Sequence, residues 1–532
     1  MASLNLTNSR PQKFLFITEV ALLVGLFALL AGTPPPNTNE AHYLAKAKHY
    51  WNPQWCAGDL FLESADAHLV FYWTLGWLTR WFSLPTVAWI GRLVGWTLVA
   101  CSWRSLSYSL VPRPFFAVLS GAALELFLAR CNAGGEWVID GIEAKIIAYA
   151  FLFWGLAALV RGQWRAVWCW FGASAAFHVL VGGWAVLIGL GVWLSLGRQR
   201  PKLSRLLGPL MFGFFLSLPG LIPALTLTAG VDPETVREAN RIYVFERLSH
   251  HLLPSDFNFD SVLKHLALFV TWLILCIEPP ATSGQRLLRR FVAGAMLCAL
   301  AGVLWEFATR GRPDLTATLL RYYLFRMSDV LLPLGVALES IVLLNAWLIR
   351  SPRGGRLALA TALILLGVAL WPTIRSNSRQ AWSGADLQSA TADLAQWREA
   401  CEWMAENLPP DARVLSPRDH YTFKWYAGRA EVVNWKDVPQ DARALVEWER
   451  VQNDIWAADA SEPWRRWRVS ITERTDDEIL RLAKQHGFRY VIVESPTAVR
   501  ELPFREIYPN LENVNTVYQV YELPASTAAD AK

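Results

Sequence analysis

Eleven long apolar segments constrain the fold of this chain more than any other feature. A helix needs about 20 apolar residues to cross the hydrocarbon core of a membrane, and a buried helix can be shorter. Segments of this kind fill most of the chain up to residue 373. The predicted spans are 14–32, 86–107, 114–130, 143–160, 165–181, 183–197, 207–226, 263–278, 291–308, 329–349 and 356–373.

Composition supports an integral membrane protein. Hydrophobic residues make up 53% of the 532 residues and charged residues only 18%, which is too apolar for an ordinary soluble protein. The net charge of +5 comes from basic residues in short loops between the spans, so it does not indicate a nucleic-acid-binding surface. We therefore expect membrane lipids as partners and no nucleic acid.

The positions of lysine and arginine predict the orientation of the spans. Cytoplasmic loops of membrane proteins carry an excess of basic residues. With eleven spans, most basic loops fall on one side, which predicts a protein of the cytoplasmic membrane with a cytoplasmic N-terminus and an extracytoplasmic C-terminal domain. These residues are Arg10, Lys13, Arg104, Arg113, Arg161, Arg165, Arg198, Arg200, Lys202, Arg205, Arg286, Arg289, Arg290, Arg350, Arg353 and Arg356.

The apolar segment 67–82 tests this orientation, because a twelfth span here would invert every later loop. The segment is shorter than a span and carries Arg80. Its tryptophans, among them Trp73 and Trp77, suit the level of the lipid headgroups. We therefore predict an interfacial helix within a first outer loop, 33–85.

After residue 373 the pattern changes to short helices and strands with frequent charges. Such alternation predicts a small layered α/β domain over 374–532. Thr475 is a predicted N-cap, and no glycine-rich phosphate loop follows any strand. The predicted class is thus mainly α: a polytopic helical membrane domain, 1–373, followed by this extracytoplasmic domain. Its predicted helices are 394–408, 445–457 and 476–486, and its predicted strands are 412–416, 431–434, 490–494 and 517–521.

The first outer loop concentrates charged and aromatic residues. Glu40 is either a solvated loop residue or a general base that takes a proton from an acceptor hydroxyl. Asp59 and Glu63, four residues apart, either bind a metal, hold an acceptor or cap the interfacial helix. No cofactor is certain, but hard oxygen ligands from these three residues together with His68 form one alternative, a divalent-metal site.

A second acidic cluster lies at the start of the fourth span and is predicted to face the same side. It contains Glu136, Asp140, Glu143 and Lys145. Glu143 and Lys145 alone are explained by an internal salt bridge, whereas charged groups at membrane depth commonly mark a cavity or a pathway. We predict a catalytic role for Asp140 and substrate binding by the other two, Glu143 and Lys145. His178, near the end of the fifth span, is interpreted as a packed histidine.

The predicted outer loops are 33–85, about 131–142, 227–262 and 309–328, and the fourth of them carries four arginines and so departs from the basic-inside pattern. One interpretation is that these side chains reach the membrane interface. The other is that Arg321, Tyr322 and Arg326 bind a phosphate, since guanidinium groups form charge-assisted bonds to phosphate oxygens. The bound phosphate would belong to a substrate or to a lipid headgroup.

The seven cysteines show no metal-binding spacing. Four of them lie in apolar segments and are interpreted as small core residues. Cys56 and Cys131 both fall in predicted outer loops, where a disulfide is chemically allowed.

Several motifs resemble the GT-C superfamily of membrane glycosyltransferases, within it the aminoarabinose- and mannosyl-transferase type. The segment Asn39-Glu40-Ala41-His42-Tyr43 is similar to the acidic motif that opens the first outer loop of that family. The segment that starts at Gly58-Asp59-Leu60 and the sequence Ile90-Gly91-Arg92-Leu93 resemble the later parts of the same family pattern, and the resemblance extends over about residues 14–160. Asn39 departs from the family, which has an acidic residue at that position.

The resemblance implies transfer of a sugar from a polyprenyl-phosphate donor to an unknown acceptor outside the cytoplasm. It implies that Glu40 is the base and that basic residues hold the donor phosphate. The rival interpretation is a non-catalytic membrane protein, either a transporter or a scaffold of an envelope polysaccharide system. A transporter is expected to show broken helices or repeated halves, and no repeated halves are apparent.

Overall fold

The computed structural model of the protein describes residues 10–37, 39–382, 390–510 and 514–524. Each of the eleven predicted spans coincides with one helix. These helices are α1 (Arg10–Ala31), α4 (Leu84–Leu110), α5 (Phe116–Arg130), α6 (Ala144–Val160), α7 (Trp164–Phe177), α8 (Val179–Ser195), α9 (Leu207–Thr226), α12 (Phe259–Leu275), α13 (Ser283–Ala308), α15 (Arg326–Arg350) and α16 (Pro352–Trp382).

Six of these helices are long and apolar enough to cross a membrane within the described ranges, namely α1, α4, α9, α13, α15 and α16. A seventh is obtained if α8 is counted together with Gly197–Arg205, from which it is bent by 109°. The four other helices, α5, α6, α7 and α12, have 14 to 17 residues. They lie where they were predicted but are shorter than the roughly 20 residues that a straight crossing needs. The chain is therefore an integral membrane protein of mainly helical structure.

Helix α6 lies at the centre of the membrane part. It is apolar on every face, and such a helix is stable only when neighbouring helices cover it. Gly91 and Gly95 of α4 allow the closest approach: a Cβ atom at Gly91 would lie 2.7 Å from Ile142 Cγ1, and one at Gly95 would lie 2.8 Å from Ile146 Cδ1. The loop that precedes α6 is thereby held directly against α4.

The loops predicted to lie outside the cytoplasm carry short helices. The segment predicted as one interfacial helix consists of α3 (Leu69–Trp73) and a separate 3₁₀ turn at Gly76–Arg80. It is too short to cross the membrane, and its tryptophans Trp73, Trp77 and Trp81 are exposed. The loop helices are α2 (Glu40–Trp51), α3 (Leu69–Trp73), α10 (Pro233–Arg241), α11 (Ser249–Leu252) and α14 (Pro313–Leu320).

The C-terminal region contains a sheet with helices beside it, as predicted, but the sheet has five strands where four were predicted. The strand order is β2-β1-β3-β5-β4, with β1 parallel to β2 and β3, and β5 antiparallel to β3 and β4. The elements are α17 (Ala390–Asn407), β1 (Arg413–Leu415), α18 (Phe423–Ala427), β2 (Ala430–Glu431), α19 (Ala442–Trp456), α20 (Asp476–His486), β3 (Tyr490–Glu494), β4 (Arg505–Tyr508) and β5 (Tyr518–Glu522).

Strand β3 is central because both of its faces are buried. Tyr490 and Ile492 pack into one apolar cluster with α17, whereas Val491 and Val493 pack into another with α19 and α20. A strand that is buried on both faces has a continuous run of apolar residues in its sequence, and this run made β3 predictable. Thr475 caps α20, as predicted, and forms a capping box with Glu478.

The cysteine pairing considered for the outer loops is not formed. All seven cysteines are free thiols. Cys56 is buried against Phe61 and Ala430, and Cys131 lies in a different part of the fold, where its carbonyl oxygen contacts His265 Nδ1 at 2.8 Å.

Candidate functional site

Glu40 is the best-paired carboxylate of the outer loops. The Arg92 guanidinium donates to both oxygens, from Nε to Oε1 at 2.6 Å and from Nη2 to Oε2 at 2.5 Å. The backbone N–H groups of Ile142 and Asn37 donate to the same two oxygens, each at 2.8 Å. Both side chains of the ion pair are buried. Glu40 therefore links the first outer loop to α4 and to the loop before α6.

This geometry does not support the base role predicted for Glu40. A general base needs an oxygen within hydrogen-bond reach of its substrate. Both Glu40 oxygens already accept two hydrogen bonds each, and removal of one partner from a buried ion pair is costly. The structure favours a positioning role for this residue instead.

Asp140 is half-buried next to this ion pair. Its Oδ1 accepts a hydrogen bond from Asn37 Nδ2, and its Oδ2 has no hydrogen-bond partner within the described ranges. Burial is the main effect that raises the pKa of the Asp140 carboxyl; the Asn37 hydrogen bond and Arg92 oppose it. Of the two carboxylates predicted to be catalytic, Asp140 is thus the one with an uncommitted oxygen.

A buried ionic network, which we call the Arg326 network, lies beside these loops. Its members are Glu136, Glu143, Lys145, His178 and Arg326. Lys145 Nζ lies 3.3 Å from Glu136 Oε1 and 2.9 Å from Glu143 Oε1. Arg326 Nε lies 3.0 Å from Glu136 Oε2. Burial would raise the pKa of Glu136, but the two cations outweigh it and leave that pKa lowered.

Three buried atoms of this network make no hydrogen bond among the described residues, namely Glu143 Oε1, His178 Nδ1 and Arg326 Nε. Arg326 uses Nη1 to contact His178 Nε2 at 3.0 Å, and no hydrogen bond is made by its Nη2. His178 Nδ1 is buried and unpartnered as well. Buried donors and acceptors are nearly always paired in folded proteins, so unpaired ones indicate a place for a ligand or a water molecule.

Arg321, Tyr322 and Arg326 do not come together in the phosphate site that was predicted for them. Arg321 donates to Asn240 Oδ1 of α10, and the Tyr322 side chain is exposed. The reason is a turn in the backbone: α14 ends just before Arg321, and Tyr323 has a left-handed φ of 54° before α15 begins. Only Arg326 joins the acidic cluster.

The four residues considered as metal ligands are also separated. Glu40 pairs with Arg92, and Glu63 Oε1 accepts from the Gly58 backbone N–H at 2.5 Å, which closes its own turn. Asp59 lies 3.2 Å from Lys424 Nζ, and His68 Nε2 lies 3.1 Å from the Tyr43 hydroxyl. Over the described ranges, no group of three or more His, Cys, Asp or Glu side chains is arranged to hold a metal ion.

Lys424 is a site residue that the sequence did not reveal. Its buried ammonium contacts Asp59 of the first outer loop and, within the C-terminal region, Asp437 at 2.5 Å and Glu431. Asp437 in turn contacts His42 Nδ1 at 3.3 Å. No local pattern predicts this cluster, because His42 and Asp437 are 395 positions apart.

A small pocket that opens to solvent lies where α2 meets the C-terminal region. Its aromatic walls come from the first outer loop, and Gln440 comes from the C-terminal region. The Tyr43–His68 hydrogen bond joins this pocket to the Arg326 network, since the His68 and His178 rings are 5.6 Å apart. Lining side chains include His42, Tyr43, Phe61, His68, Tyr72 and Gln440.

Comparison with known proteins gives one partial family match. Residues 395–455 match a domain of unknown function (DUF6798). This segment includes Lys424, Glu431, Asp437 and Gln440, so it contributes to the pocket just described. No curated protein sequence matches the chain.

Solved structures with a similar fold are membrane glycosyltransferases. ArnT from Cupriavidus metallidurans in the apo state is 15% identical, with 96% of this chain and 97% of that chain covered and a TM-score of 0.49. The oligosaccharyltransferase AglB from Archaeoglobus fulgidus, in complex with an inhibitory peptide and a dolichol-phosphate, is 14% identical, with 91% and 70% covered and a TM-score of 0.45. Both are GT-C glycosyltransferases, the superfamily that the motifs resemble. At scores below 0.5, these similarities carry no evidence about activity.

Proposed function

We propose that the protein is a membrane glycosyltransferase that moves a sugar from a polyprenyl-phosphate donor to an acceptor outside the cytoplasm. The observation that carries this proposal is the buried Arg326 guanidinium, whose Nε and Nη2 make no hydrogen bond among the described residues, although Nε forms an ion pair with Glu136. Its Nη1 contacts His178 Nε2, and the other ring nitrogen of His178, Nδ1, is buried and unpartnered. The motif resemblance around Glu40 supports the same class of reaction.

The donor phosphate is the ligand that this network suits best. A guanidinium group forms short, charge-assisted bonds to phosphate oxygens, and such bonds are strong where water is excluded. Lys145 supplies a second cation, held in place by Glu136 and Glu143. Glu136 and Glu143 balance the charges of Lys145 and Arg326 while no phosphate is bound. The site therefore holds two cations for a phosphate without leaving a buried charge unpaired.

The reaction exchanges one bond of the anomeric carbon for another. The bond between that carbon and the donor phosphate oxygen breaks, and its electron pair leaves with the lipid phosphate. The acceptor oxygen forms the new bond and gives up its proton. Positive charge develops on the sugar ring in reactions of this kind. We assign Asp140 to face that charge, because its Oδ2 remains uncommitted.

The direct test is turnover by the purified protein in lipid nanodiscs. A panel of polyprenyl-phosphate sugars is offered together with a membrane extract as the source of acceptor. We expect release of polyprenyl phosphate from at least one donor, and its loss in Asp140→Asn. A wild-type protein that releases polyprenyl phosphate from none of them contradicts the proposal.

The proposed reaction requires the site to face away from the cytoplasm. The basic loops between α8 and α9 and at the start of α13 favour this orientation. A topology reporter fused after Lys532 should be active only outside the cytoplasm. A reporter that is active in the cytoplasm would place the C-terminal region, and the pocket that it lines, on the wrong side.

A further inference from the structure

The proposed transfer needs a group that takes up the proton of the acceptor hydroxyl, and the candidates from the acidic motif of the first outer loop are already paired. Glu40 is fully paired with Arg92 and two backbone N–H groups. Asn39 is an amide, and its Nδ2 donates to Glu143 Oε2 at 3.1 Å. Asp59 is committed to Lys424 and to the backbone N–H of Leu62. With Asp140 assigned to the charge on the sugar, a side chain that lines the pocket is a further candidate for the base.

His42 has the geometry that a general base requires. It lies on the first turn of α2, and its ring stacks on Phe61 with centroids 5.0 Å apart. Its Nδ1 contacts Asp437 Oδ1 at 3.3 Å. Its Nε2 has no hydrogen bond in the described part of the chain, and His42 lines the pocket. Imidazole is the side chain whose charge changes nearest to neutral pH.

We infer that His42, oriented by Asp437, is the proton acceptor of the transfer reaction, and that the pocket beside it binds a neutral, hydroxyl-bearing acceptor such as a sugar. This inference rests on the proposed function. The hydroxyl proton moves to His42 Nε2 as the acceptor oxygen bonds to the anomeric carbon. The electron pair of the broken carbon–oxygen bond leaves with the lipid phosphate.

Asp437 can hold the His42 ring in one orientation because Lys424 holds the Asp437 carboxylate in place. Its Oδ2 lies 2.5 Å from Lys424 Nζ, and both groups are buried. A carboxylate that accepts from Nδ1–H leaves the lone pair on Nε2, and it stabilises the imidazolium that forms when the proton arrives. The C-terminal region thereby completes the base, which gives a role to part of the segment that matches a domain of unknown function.

The charged groups around His42 come from three elements. Asp437 and Lys424 face it from the C-terminal region. Asp59 comes from the first outer loop and pairs with the same lysine. His68 and Lys46 line the same pocket; burial and His42 lower the pKa of His68 to about 4, and burial lowers the pKa of Lys46 to about 8.

The other two groups of the pocket are poor candidates for the base. His68 Nε2 already contacts the Tyr43 hydroxyl at 3.1 Å. Lys46 Nζ donates to the Phe61 carbonyl at 2.7 Å and to the Ser64 carbonyl at 2.9 Å. His42 is thus the titratable group of this pocket with a free proton-accepting atom.

The pocket has the surfaces that a sugar needs. Phe61 and Tyr72 provide flat apolar walls, and the Gln440 amide, whose Nε2 contacts His68 Nε2 at 3.4 Å, leaves its carbonyl oxygen as an acceptor. The pocket is joined through Tyr43, His68 and His178 to Arg326, which we assign to the donor phosphate. Acceptor and donor subsites therefore adjoin each other.

The activity test compares His42→Gln with His250→Gln, which changes an exposed histidine outside the pocket. We expect polyprenyl phosphate release to fall by about 10²-fold or more in His42→Gln and to remain unchanged in His250→Gln. In Asp437→Asn, kcat should fall while KM stays unchanged, because the imidazole remains in place but loses the carboxylate that orients it. An active wild type whose His42→Gln variant keeps its rate overturns this inference alone. An inactive wild type overturns the proposed function instead.

A second measurement needs no turnover. Diethyl pyrocarbonate acylates free, unprotonated imidazole nitrogens, and mass spectrometry locates the product. We expect His42 to react faster than His68, because His42 Nε2 makes no hydrogen bond in the described part of the chain whereas His68 Nε2 contacts the Tyr43 hydroxyl. Equal reactivity of the two histidines contradicts a free proton-accepting nitrogen on His42 whatever the activity of the wild type.

Discussion

Two ionic networks lie along the same helix, α15, and only one of them has unpaired atoms. The Arg326 network is at the first residue of the helix, and Glu339 lies thirteen residues later, about 20 Å along the axis. Glu339 accepts from Arg289 Nε at 2.8 Å, from Arg289 Nη2 at 2.9 Å and from Gln285 Nε2 at 2.6 Å. Arg289 Nη1 donates to the carbonyl oxygens of Cys276 and Glu278.

The comparison shows that buried charge alone does not mark a functional site. The Arg289–Glu339 pair satisfies its donors locally and joins α13 to α15, which is a structural task. In the Arg326 guanidinium, Nε and Nη2 make no hydrogen bond among the described residues, and the His178 ring that its Nη1 contacts has an unpartnered Nδ1. The difference separates a stabilising ion pair from one that is arranged to bind something.

The largest expected effect is on transfer in Arg326→Met. Loss of a charge-assisted donor from a buried site that stabilises developing charge reduces rates by about 10²- to 10³-fold. The readout is polyprenyl phosphate release per folded protein in nanodiscs. A variant that retains the wild-type rate would show that the free guanidinium nitrogen has no role in the reaction.

The matched change in the other network is Arg289→Met. It leaves Glu339 as an uncompensated buried charge, so we expect the free energy of unfolding to fall by about 3 kcal/mol. Transfer per folded molecule should stay at the wild-type level. Thermal unfolding together with the same release assay checks both points, and a large selective loss of activity would abolish the distinction between the networks.

Glu40→Gln tests whether the Glu40–Arg92 pair is a stabilising ion pair, like Arg289–Glu339, or part of the reactive site. If Glu40 is a positioning residue, the variant behaves like Arg289→Met, because it leaves the buried Arg92 without its counter-ion; we expect a stability loss of about 3 kcal/mol. The folded fraction should show at most a modest loss of transfer. A stable Glu40→Gln protein without activity would restore the role predicted from the motif.

A smaller effect concerns pH and the Lys424 cluster. Burial, opposed by Lys424 and reinforced by Asp437, raises the pKa of Glu431 to about 7 from its usual 4.5. The folded state therefore holds this proton more tightly than the unfolded state, and its contribution to stability is lost as the pH rises through 7. The loss is at most about 1.4 kcal/mol for each pH unit. Glu431→Gln should flatten the stability profile between pH 5 and pH 8, measured by thermal unfolding; an unchanged slope contradicts this assignment.

The smallest expected effect is that of Glu63→Gln. Glu63 was predicted to bind substrate or metal, but its side chain closes an exposed turn at the Gly58 N–H. We expect stability to change by less than about 0.5 kcal/mol and transfer to be unaffected. A clear loss of transfer would show that Glu63 belongs to the site after all.

The helices of the membrane part were predictable because long apolar runs have few other ways to fold. Strand β3 was predictable for the same reason, since it is apolar on both faces. Strand β4 was missed because Arg505 and Glu506 are exposed and show no apolar alternation. At the site, the sequence indicated Glu136 and Lys145 in a charged cluster at the start of a span and Arg326 as a candidate phosphate ligand, and the structure brings the three together.

The pairings, by contrast, could not be predicted from the sequence. Whether Glu40 is free or bound depends on Arg92, 52 positions away, and nothing in the local pattern distinguishes the two states. The contact of Lys424 with Asp59 joins two parts of the chain that differ in composition. Likewise, the separation of Arg321 from Arg326 results from one left-handed residue, Tyr323, which sequence patterns do not reveal.

The most direct test of the central claim is the affinity of the protein for polyprenyl phosphate. Binding to wild type, Arg326→Met and Arg321→Met is measured in nanodiscs, with Arg321 as the control because it lies on the same loop but pairs with Asn240. We predict that Arg326→Met raises the Kd about tenfold or more, and that Arg321→Met leaves it unchanged. Equal affinities for all three proteins would contradict a phosphate site at Arg326.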